Sequence, residues 1–149
     1  MQVALEPAAQ PDVERLLRLG EEFALSLYPA DECFLLPVSE LEKPGVSVFV
    51  ARLEGEAVGM AALVGRGDGS AELKRLFVDG RARGQGLAGG LLDAVEQAAR
   101  DAGVGVIQLE TGPRSTAAIA LYEKRGYRHI PLFGQYVGSG SSVCMEKSL

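Results

Sequence analysis

The pattern of apolar residues in the first third of the chain predicts a short strand, a long helix and a loop, in that order. Val3 to Leu5 form a short apolar run that predicts a first strand. Pro11 then stands at a first helical position, and apolar residues recur at intervals of three and four, which predicts a helix from about residue 11 to 27. The segment from 27 to 45 carries three prolines and predicts a loop with room for one short helix.

The middle of the chain is rich in β-forming residues. Two such runs, VSVFVARL (46 to 53) and EAVGMAALV (56 to 64), are joined by Glu54-Gly55, which predicts an antiparallel hairpin. The turn GRGDGS then leads into AELKRLFV, residues 71 to 78, which predicts a third strand. The three runs together predict a meander of three strands.

Helical spacing returns after the meander. One apolar stripe predicts a helix that Gly103 ends. The stripe consists of Leu87, Leu91, Leu92, Val95, Ala98 and Ala99. The run VIQLE, residues 106 to 110, then predicts a strand.

The last third of the chain predicts one more helix and two short strands. Ala118, Leu121 and Tyr122 share a helical face, and Gly126 stands just past the end of that helix. Two late strands are predicted near Tyr127 to Ile130 and Ser142 to Lys147. The full order is strand, helix, three strands, helix, strand, helix and two strands, which indicates a mixed α/β sheet.

Length and composition limit the class of protein. A chain of 149 residues that is 47% hydrophobic and 23% charged is predicted to form one globular domain over residues 1 to 149. No apolar run approaches the roughly 20 residues that a membrane helix needs. The N-terminus MQVALEPAAQ lacks the basic region and apolar stretch of a signal peptide. We therefore expect a cytoplasmic protein that does not enter a membrane.

Charge and metal-binding residue types narrow the function further. The formal net charge of −5 argues against nucleic acid as a partner and is compatible with a cationic or amine substrate. Cys33 and Cys144 do not make a disulfide framework, and His129 does not complete a zinc site with them at a familiar spacing. We expect no metal, a structural role for His129 and a buried, apolar position for Cys144.

The stretch RARGQGLAGGLL, residues 81 to 92, is a glycine-rich loop that leads into a predicted helix. Such a loop presents backbone N–H groups and the positive helix end to an anion. Gly84, Gly86 and Gly89 spell G-x-G-x-x-G, the dinucleotide pattern, and Glu110 follows where a ribose-binding carboxylate would lie. Against a dinucleotide, five residues, two of them arginines, separate the strand from the first glycine. These residues alone leave the identity of the anion open.

The segment from Glu72 to Tyr127 closely resembles the acyl-CoA N-acyltransferase superfamily known as GNAT. That family's loop, R/Q-x-x-G-x-G/A, falls on Arg83, Gly86 and Ala88, and its second signature is present as AIALYEKRGY, residues 118 to 127. Two signatures in the right order and at the right distance are more specific than either alone. The resemblance implies an α/β fold with a mixed, mostly antiparallel central sheet and helices on both faces. It also implies that the glycine loop binds the pyrophosphate of coenzyme A.

The activity that the resemblance implies is transfer of an acetyl group from acetyl-CoA to the amine of a small acceptor by direct attack. Three groups of positions would hold the cofactor: the loop amides, the backbone at the end of strand 71 to 78 where it would separate from the next strand, and a serine where many members carry asparagine. They are Leu76, Phe77, Val78, Arg83, Gly84, Gln85, Gly86, Leu87, Ala88 and Ser115. Arg81 or Arg83 would add a charge-assisted contact, and the alternative for both is a solvated loop.

Two catalytic residues follow from the same resemblance. Tyr122 aligns with the tyrosine that the family commonly uses to protonate the departing thiolate, and the alternative is that it only packs its helix against the sheet. Glu72 resembles a strand carboxylate that takes the amine proton in some members, with Glu110 as the competitor. The alternative for Glu72 is an ion pair with Lys74. Burial and neighbouring charges decide which carboxylate is suited to act as the base.

The family builds its acceptor pocket from the first helices and the C-terminal hairpin. These parts correspond here to residues 27 to 36 and 131 to 147. Tyr28, Phe133 and Tyr136 are the candidate lining residues, although we favour a place in the core for Phe133. The acceptor itself stays open among a metabolite, a lysine side chain and a protein N-terminus.

Two other functions share part of this pattern. A non-catalytic acyl-CoA-binding module would keep the fold and the loop without turnover, and the presence of Tyr122 argues against it. A small dinucleotide-binding oxidoreductase would use the glycine loop differently, but only 39 residues follow Glu110, which leaves little chain for the second half of a doubly wound sheet. Family members often dimerise, so a homodimer is compatible with the resemblance.

Overall fold

A seven-stranded sheet forms the centre of the fold in the computed structural model, which describes residues 1–33 and 37–149. The strands are Gln2–Leu5 (β1), Val46–Leu53 (β2), Glu56–Gly65 (β3), Ser70–Val78 (β4), Val106–Thr111 (β5), Arg128–Ile130 (β6) and Val143–Ser148 (β7). The helices are Pro11–Leu27 (α1), Val38–Leu41 (α2), Leu87–Asp101 (α3) and Thr116–Lys124 (α4). None of these helices combines the length and the apolar character that a membrane crossing requires.

The order of elements predicted from the sequence is confirmed. The first helix begins at Pro11 and ends at Leu27, and the hairpin turns at Glu54 and Gly55, which have φ values of 49° and 82°. The short helix α2 lies in the proline-rich loop. The strand order is β1-β2-β3-β4-β5-β7-β6, and every pair among the described strands is antiparallel except β4 with β5. The sheet is therefore mixed and mostly antiparallel.

Helices cover both faces of the sheet. Val13, Leu16 and Leu17 of α1 pack on one face. The stripe predicted for α3 packs on the other face through Leu87, Leu91, Leu92, Val95 and Ala99. Residues 57 to 63 of β3 lie between the two helical layers and are buried throughout. A strand that is covered on both faces has no solvent side for polar residues, which explains the continuous apolar run AVGMAAL.

A β-bulge changes the direction of the side chains near the end of β4. The pairing of β3 with β4 shifts register between Met60 and Ala62. Arg75 lies opposite this shift with a φ of 59°, a left-handed conformation that is uncommon outside glycine. Leu73 before the bulge and Leu76 after it both face the core around α3. The alternation of the strand is therefore displaced by one residue at Arg75.

Strands β4 and β5 separate before either of them ends. Their parallel pairing begins at Ser70 with Val106 and stops at Leu73 with Leu109. Beyond that point β4 continues to Val78 along β3, and β5 continues along β7. The separation expected for these two strands is thus present, and it opens a wedge in the middle of the sheet.

Candidate active site

A cavity of about 530 Å³ lies where β4 and β5 separate. Helix α1 forms one wall with side chains between Leu16 and Tyr28, and residues from Glu110 to Ala118 form the opposite wall. Leu76, Phe77 and Val78 at the end of β4 line the floor. Arg83 and Ala88, on the way into α3, line one end. Most of the cofactor positions expected from the sequence therefore border a single cavity.

The glycine loop ahead of α3 is built around two left-handed residues. Gly84 and Gly86 have φ values of 82° and 76°, which only glycine adopts without strain, and the space around both is open. Gly86 is the N-cap of α3, so the N–H groups of Leu87, Ala88 and Gly89 in the first turn have no acceptor within the helix. The loop therefore exposes the N-terminus of a 15-residue helix, a site suited to phosphate.

The two arginines of the loop have different surroundings. The guanidinium of Arg81 lies 3.0 Å from the carboxylate of Asp79 and 2.6 Å from that of Glu56. Asp79 is buried and also accepts the backbone N–H of Arg81, so this pair shapes the turn before the loop. The guanidinium of Arg83 lies 4.8 Å from the ring centre of Phe23 in α1 and borders the cavity. Arg83 is consequently the better placed of the two to meet a phosphate.

Glu110 stands on the β5 side of the wedge and lines the cavity. Its side chain is half-buried, and the hydroxyl of Ser142 donates a hydrogen bond to it at 2.7 Å. Burial raises the pKa of the Glu110 carboxyl above its ordinary value, although the Ser142 hydrogen bond and the charge of Lys74 act in the opposite direction. A carboxylate in a cavity with a raised pKa has the property that a general base needs.

Tyr122 lies in α4 and also lines the cavity. The residue is 6% exposed, and burial, followed by the charge of Glu110, raises the pKa of its phenol. Its hydroxyl has no hydrogen-bond partner within the described part of the chain. Every fully buried side-chain polar atom in that part does have a partner, so the Tyr122 hydroxyl is not fully buried. The hydroxyl oxygen therefore keeps some exposed surface on a residue that borders the cavity.

Glu72 lies outside this cavity. Its carboxylate accepts a hydrogen bond from the hydroxyl of Tyr136 at 2.6 Å and lies 3.2 Å from the guanidinium of Arg66 and 3.6 Å from the ammonium of Lys74. With Arg66 and Tyr136 it lines a second cavity on the same face of the sheet. The ion pair with Lys74, the alternative to a catalytic role for Glu72, is present, and Tyr136 and Arg66 engage the same carboxylate.

The end of α1 is fastened to the loop between β5 and α4. The Tyr28 hydroxyl accepts the backbone N–H of Arg114 at 2.8 Å and lies 3.1 Å from the hydroxyl of Ser115, while the Arg114 side chain donates to the carbonyl of Leu27 at 2.8 Å. The ring of Tyr28 covers Gly112, where any side chain would collide with it. Ser115 occupies the N-cap position of α4, but its hydroxyl contacts Tyr28 and does not cap the helix. These contacts join the two walls of the cavity.

The aromatic residues expected around the acceptor divide between the two cavities. Tyr28 lines the first cavity, and Phe133 and Tyr136 line the second. The expectation that Phe133 belongs to the core is wrong, because its ring is half-buried and the guanidinium of Arg66 lies 5.1 Å from its centre. Part of the expected acceptor segment, residues 34 to 36, lies outside the described residues.

Comparisons with known proteins agree with this geometry. The sequence model of the acetyltransferase (GNAT) family matches residues 11–127. The chain is 37% identical over 148 residues to the IAA acetyltransferase of Azospirillum brasilense. The alignment covers 99% of this chain and 97% of that protein. A solved structure from Klebsiella pneumoniae, described as an acyl-CoA N-acyltransferase, superposes on this chain with a TM-score of 0.85 at 32% sequence identity. The superposition covers 99% of this chain and 97% of that chain.

A second solved structure bears on the cofactor. It is described as a streptothricin acetyltransferase from Bacillus anthracis in complex with acetyl coenzyme A. The TM-score is 0.63 at 25% identity, with 72% of this chain and 64% of that chain covered. The match to the acetyltransferase family model makes acetyl-CoA the acyl donor and excludes the dinucleotide-binding oxidoreductase considered from the glycine loop. The match to the family model, the relatives named as transferases and the shared fold together show that this chain belongs to the GNAT family of acetyltransferases.

Proposed function

We propose that this acetyltransferase acetylates the amine of a small molecule, with Glu110 as the general base and Tyr122 as the general acid. The observation that carries the proposal is that both side chains border the cavity formed where β4 and β5 separate. An ionised Glu110 removes a proton from the amine. Burial keeps the phenol of Tyr122 protonated at neutral pH, so that it has a proton to give.

The cofactor would lie along the floor of this cavity. Backbone N–H groups from Arg83 to Ala88 would surround the pyrophosphate, and the guanidinium of Arg83 would add charge. The pantetheine arm would follow Leu76, Phe77 and Val78, since that edge of β4 is not paired with β5 among the described residues. The hydroxyl of Ser115 would face the arm from the opposite wall.

The proposed reaction is a direct transfer. The acceptor ammonium gives one proton to Glu110, and the free amine attacks the thioester carbonyl carbon. A backbone N–H at the free edge of β4 stabilises the resulting oxyanion. The C–N bond forms, the C–S bond breaks, and the thiolate takes the proton of Tyr122. The nitrogen gives its second proton to the Tyr122 phenolate, which restores the phenol. The proton on Glu110 is then released to water, so that each turnover releases one proton.

The volume of the cavity favours a small acceptor. About 530 Å³ has to hold the end of the pantetheine arm, the acetyl group and the acceptor together. Tyr28, Arg114 and Ser115 also line this space, and the contacts of Tyr28 with the other two join its two walls. A compact amine fits these dimensions better than a folded protein surface does.

Thermal unfolding with different cofactors tests the proposed cofactor site. Acetyl-CoA at 100 times its dissociation constant should stabilise the protein by about 2.7 kcal/mol, and NAD at the same concentration should give no shift. Release of free thiol is then followed with a panel of small amines and with IAA, which the name of the Azospirillum relative gives. Thiol release with amines supports the proposal. Stabilisation by acetyl-CoA without turnover of any amine would overturn the proposed acceptor class.

Substitution of Gly86 tests the loop. Gly86→Ala places a side chain at a φ of 76°, which costs about 1 to 2 kcal/mol and turns the first N–H groups of α3 away from the phosphates. The free loop relaxes out of the left-handed conformation and has to return to it to bind the pyrophosphate. We therefore expect the affinity for acetyl-CoA, measured by calorimetry, to fall about tenfold, the equivalent of that strain. Gly80→Ala is the matched control, because the space around Gly80 is equally open and its φ is not positive. Unchanged affinity in Gly86→Ala would show that the loop does not hold the pyrophosphate.

A further inference from the structure

Two serines of the segment between β6 and β7 form a chain of hydroxyl groups that ends on Glu110. The hydroxyl oxygen of Ser142 lies 2.7 Å from the Oε2 atom of Glu110 and 2.9 Å from the hydroxyl oxygen of Ser139. Ser139 also accepts the backbone N–H of Ser141 at 3.3 Å. An ionised carboxylate only accepts hydrogen bonds and a hydroxyl carries one proton. With Glu110 ionised, the Ser142 hydroxyl therefore donates a hydrogen bond to Glu110 and accepts one from the hydroxyl of Ser139.

This arrangement engages one oxygen of a carboxylate that borders the cavity. Ser142 holds Oε2, and no hydrogen bond to Oε1 is found among the residues that the structure describes. We propose that Ser142, supported by Ser139, is a positioning residue that orients Glu110 and stabilises its ionised form. The inference rests on the proposed role of Glu110 as the base.

Other titratable groups surround Glu110 from several elements. They are Glu72 and Lys74 of β4, Cys33 beyond α1, Tyr122 of α4, Tyr136 between β6 and β7, and Cys144 of β7. None of them is hydrogen-bonded to Glu110 in the described part of the chain, whereas Ser142 is. Burial raises the pKa of Glu110, and only Ser142 and Lys74 oppose that rise. Ser142 is thus the neighbour that acts on the carboxylate through a directed contact.

Titration of Glu110 tests the inference without turnover. The side-chain carboxyl carbons are labelled with ¹³C, the Glu110 signal is assigned with Glu110→Gln, and its pKa is followed by NMR. Ser142→Ala should raise this pKa by about one unit, the effect of losing one hydrogen bond to a carboxylate. Ser142→Thr keeps the hydroxyl and should restore the original titration. Ser148→Ala, at the exposed end of β7, is the control for loss of a serine from the same region.

The same variants make a second readout possible in the acetyl-transfer assay. Because the base has to be ionised, a higher pKa moves the acid limb of kcat/KM to higher pH by the same amount. A titration of Ser142→Ala that matches the wild type, or equal shifts in the alanine and threonine variants, would overturn the inference. If Ser142→Ala does not fold, Ser139→Ala is the substitute, and it should raise the pKa of Glu110 by a smaller amount. An unchanged Glu110 pKa in Ser139→Ala would then overturn the inference. Failure of the wild type to acetylate any amine would instead contradict the proposed function.

Discussion

Replacement of Glu110 by glutamine is expected to lower kcat by about 100- to 10,000-fold, the usual contribution of a general base. Glutamine has nearly the size of glutamate, and its amide oxygen can still accept the hydrogen bond of Ser142, but it does not take a proton. The KM for acetyl-CoA should stay close to the wild-type value, since the cofactor contacts lie elsewhere in the cavity. Steady-state kinetics with a saturating amine measure both quantities, and a thermal melt confirms that the variant is folded.

Glu72→Gln is the matched control for this experiment. It makes the same chemical change in a carboxylate that lies in the second cavity and is engaged by Tyr136, Arg66 and Lys74. We expect kcat to stay within about threefold of the wild type. Stability should fall by about 1 to 3 kcal/mol, because the side chains of Glu72 and Lys74 are only 14% and 9% exposed and the amide removes the charge that pairs with Lys74. A larger loss of activity in Glu72→Gln than in Glu110→Gln would reverse the assignment and make Glu72 the base.

The pH dependence of the wild type follows from the same residue. Glu110 works as a base only when it is ionised, so activity falls as the pH drops through its pKa. Burial raises that pKa, and the acid limb of the profile therefore lies above the range of an ordinary glutamate. The residual activity of Glu110→Gln should lack this limb. If the pH profile of Glu110→Gln kept an acid limb with the wild-type midpoint, that limb would belong to a different titrating group.

Local patterns in the sequence were sufficient to predict the order of the elements. Pro11 begins the first helix because its fixed φ suits a first turn, and Gly55 ends the hairpin turn because glycine tolerates a positive φ. The separation of β4 from β5 was expected only from the family resemblance. In the structure, the bulge at Arg75 follows directly after the last β4–β5 pair, and no glycine marks that position in the sequence.

The choice between the two carboxylates depended on contacts that are distant in the chain. Glu72 and Glu110 both lie on strands and face the same side of the sheet, so the alternation of side chains does not separate them. Glu72 is engaged by Tyr136, which is 64 residues away, and Glu110 is held by Ser142, which is 32 residues away. Both contacts require the segment between β6 and β7 to fold back over the sheet. No spacing in the sequence specifies that arrangement.

Replacement of Tyr122 by phenylalanine is expected to lower kcat by about 10- to 100-fold and to leave the stability unchanged, because the acid assists a thiol that already leaves readily. The ring keeps its contact with Tyr127, whose centre lies 5.7 Å away. The lost hydroxyl has no hydrogen-bond partner in the described part of the chain, so no buried group is left unsatisfied. Kinetics and chemical denaturation of the same preparation measure the two effects.

Tyr127→Phe is the control with the opposite expected pattern. The hydroxyl of Tyr127 donates to the buried carboxylate of Glu96 at 3.0 Å, and it does not line the cavity. Its removal should destabilise the protein by about 1 to 3 kcal/mol, the cost of leaving a buried acceptor short of a donor. The kcat of the folded variant should stay near the wild-type value. Loss of turnover in Tyr127→Phe comparable to that in Tyr122→Phe would point to disturbed packing of α4 as the common cause.

The acidity of the departing thiol separates proton donation by Tyr122 from a purely structural effect. A thiol with a lower pKa leaves as the free thiolate and gains less from a proton donor. Acetyl thioesters of increasingly acidic pantetheine analogues should therefore narrow the gap in kcat between Tyr122→Phe and the wild type. A gap that stays constant across the series would show that the phenol does not protonate the thiolate. In that case Tyr122 would act on the reaction through its position in the cavity wall alone.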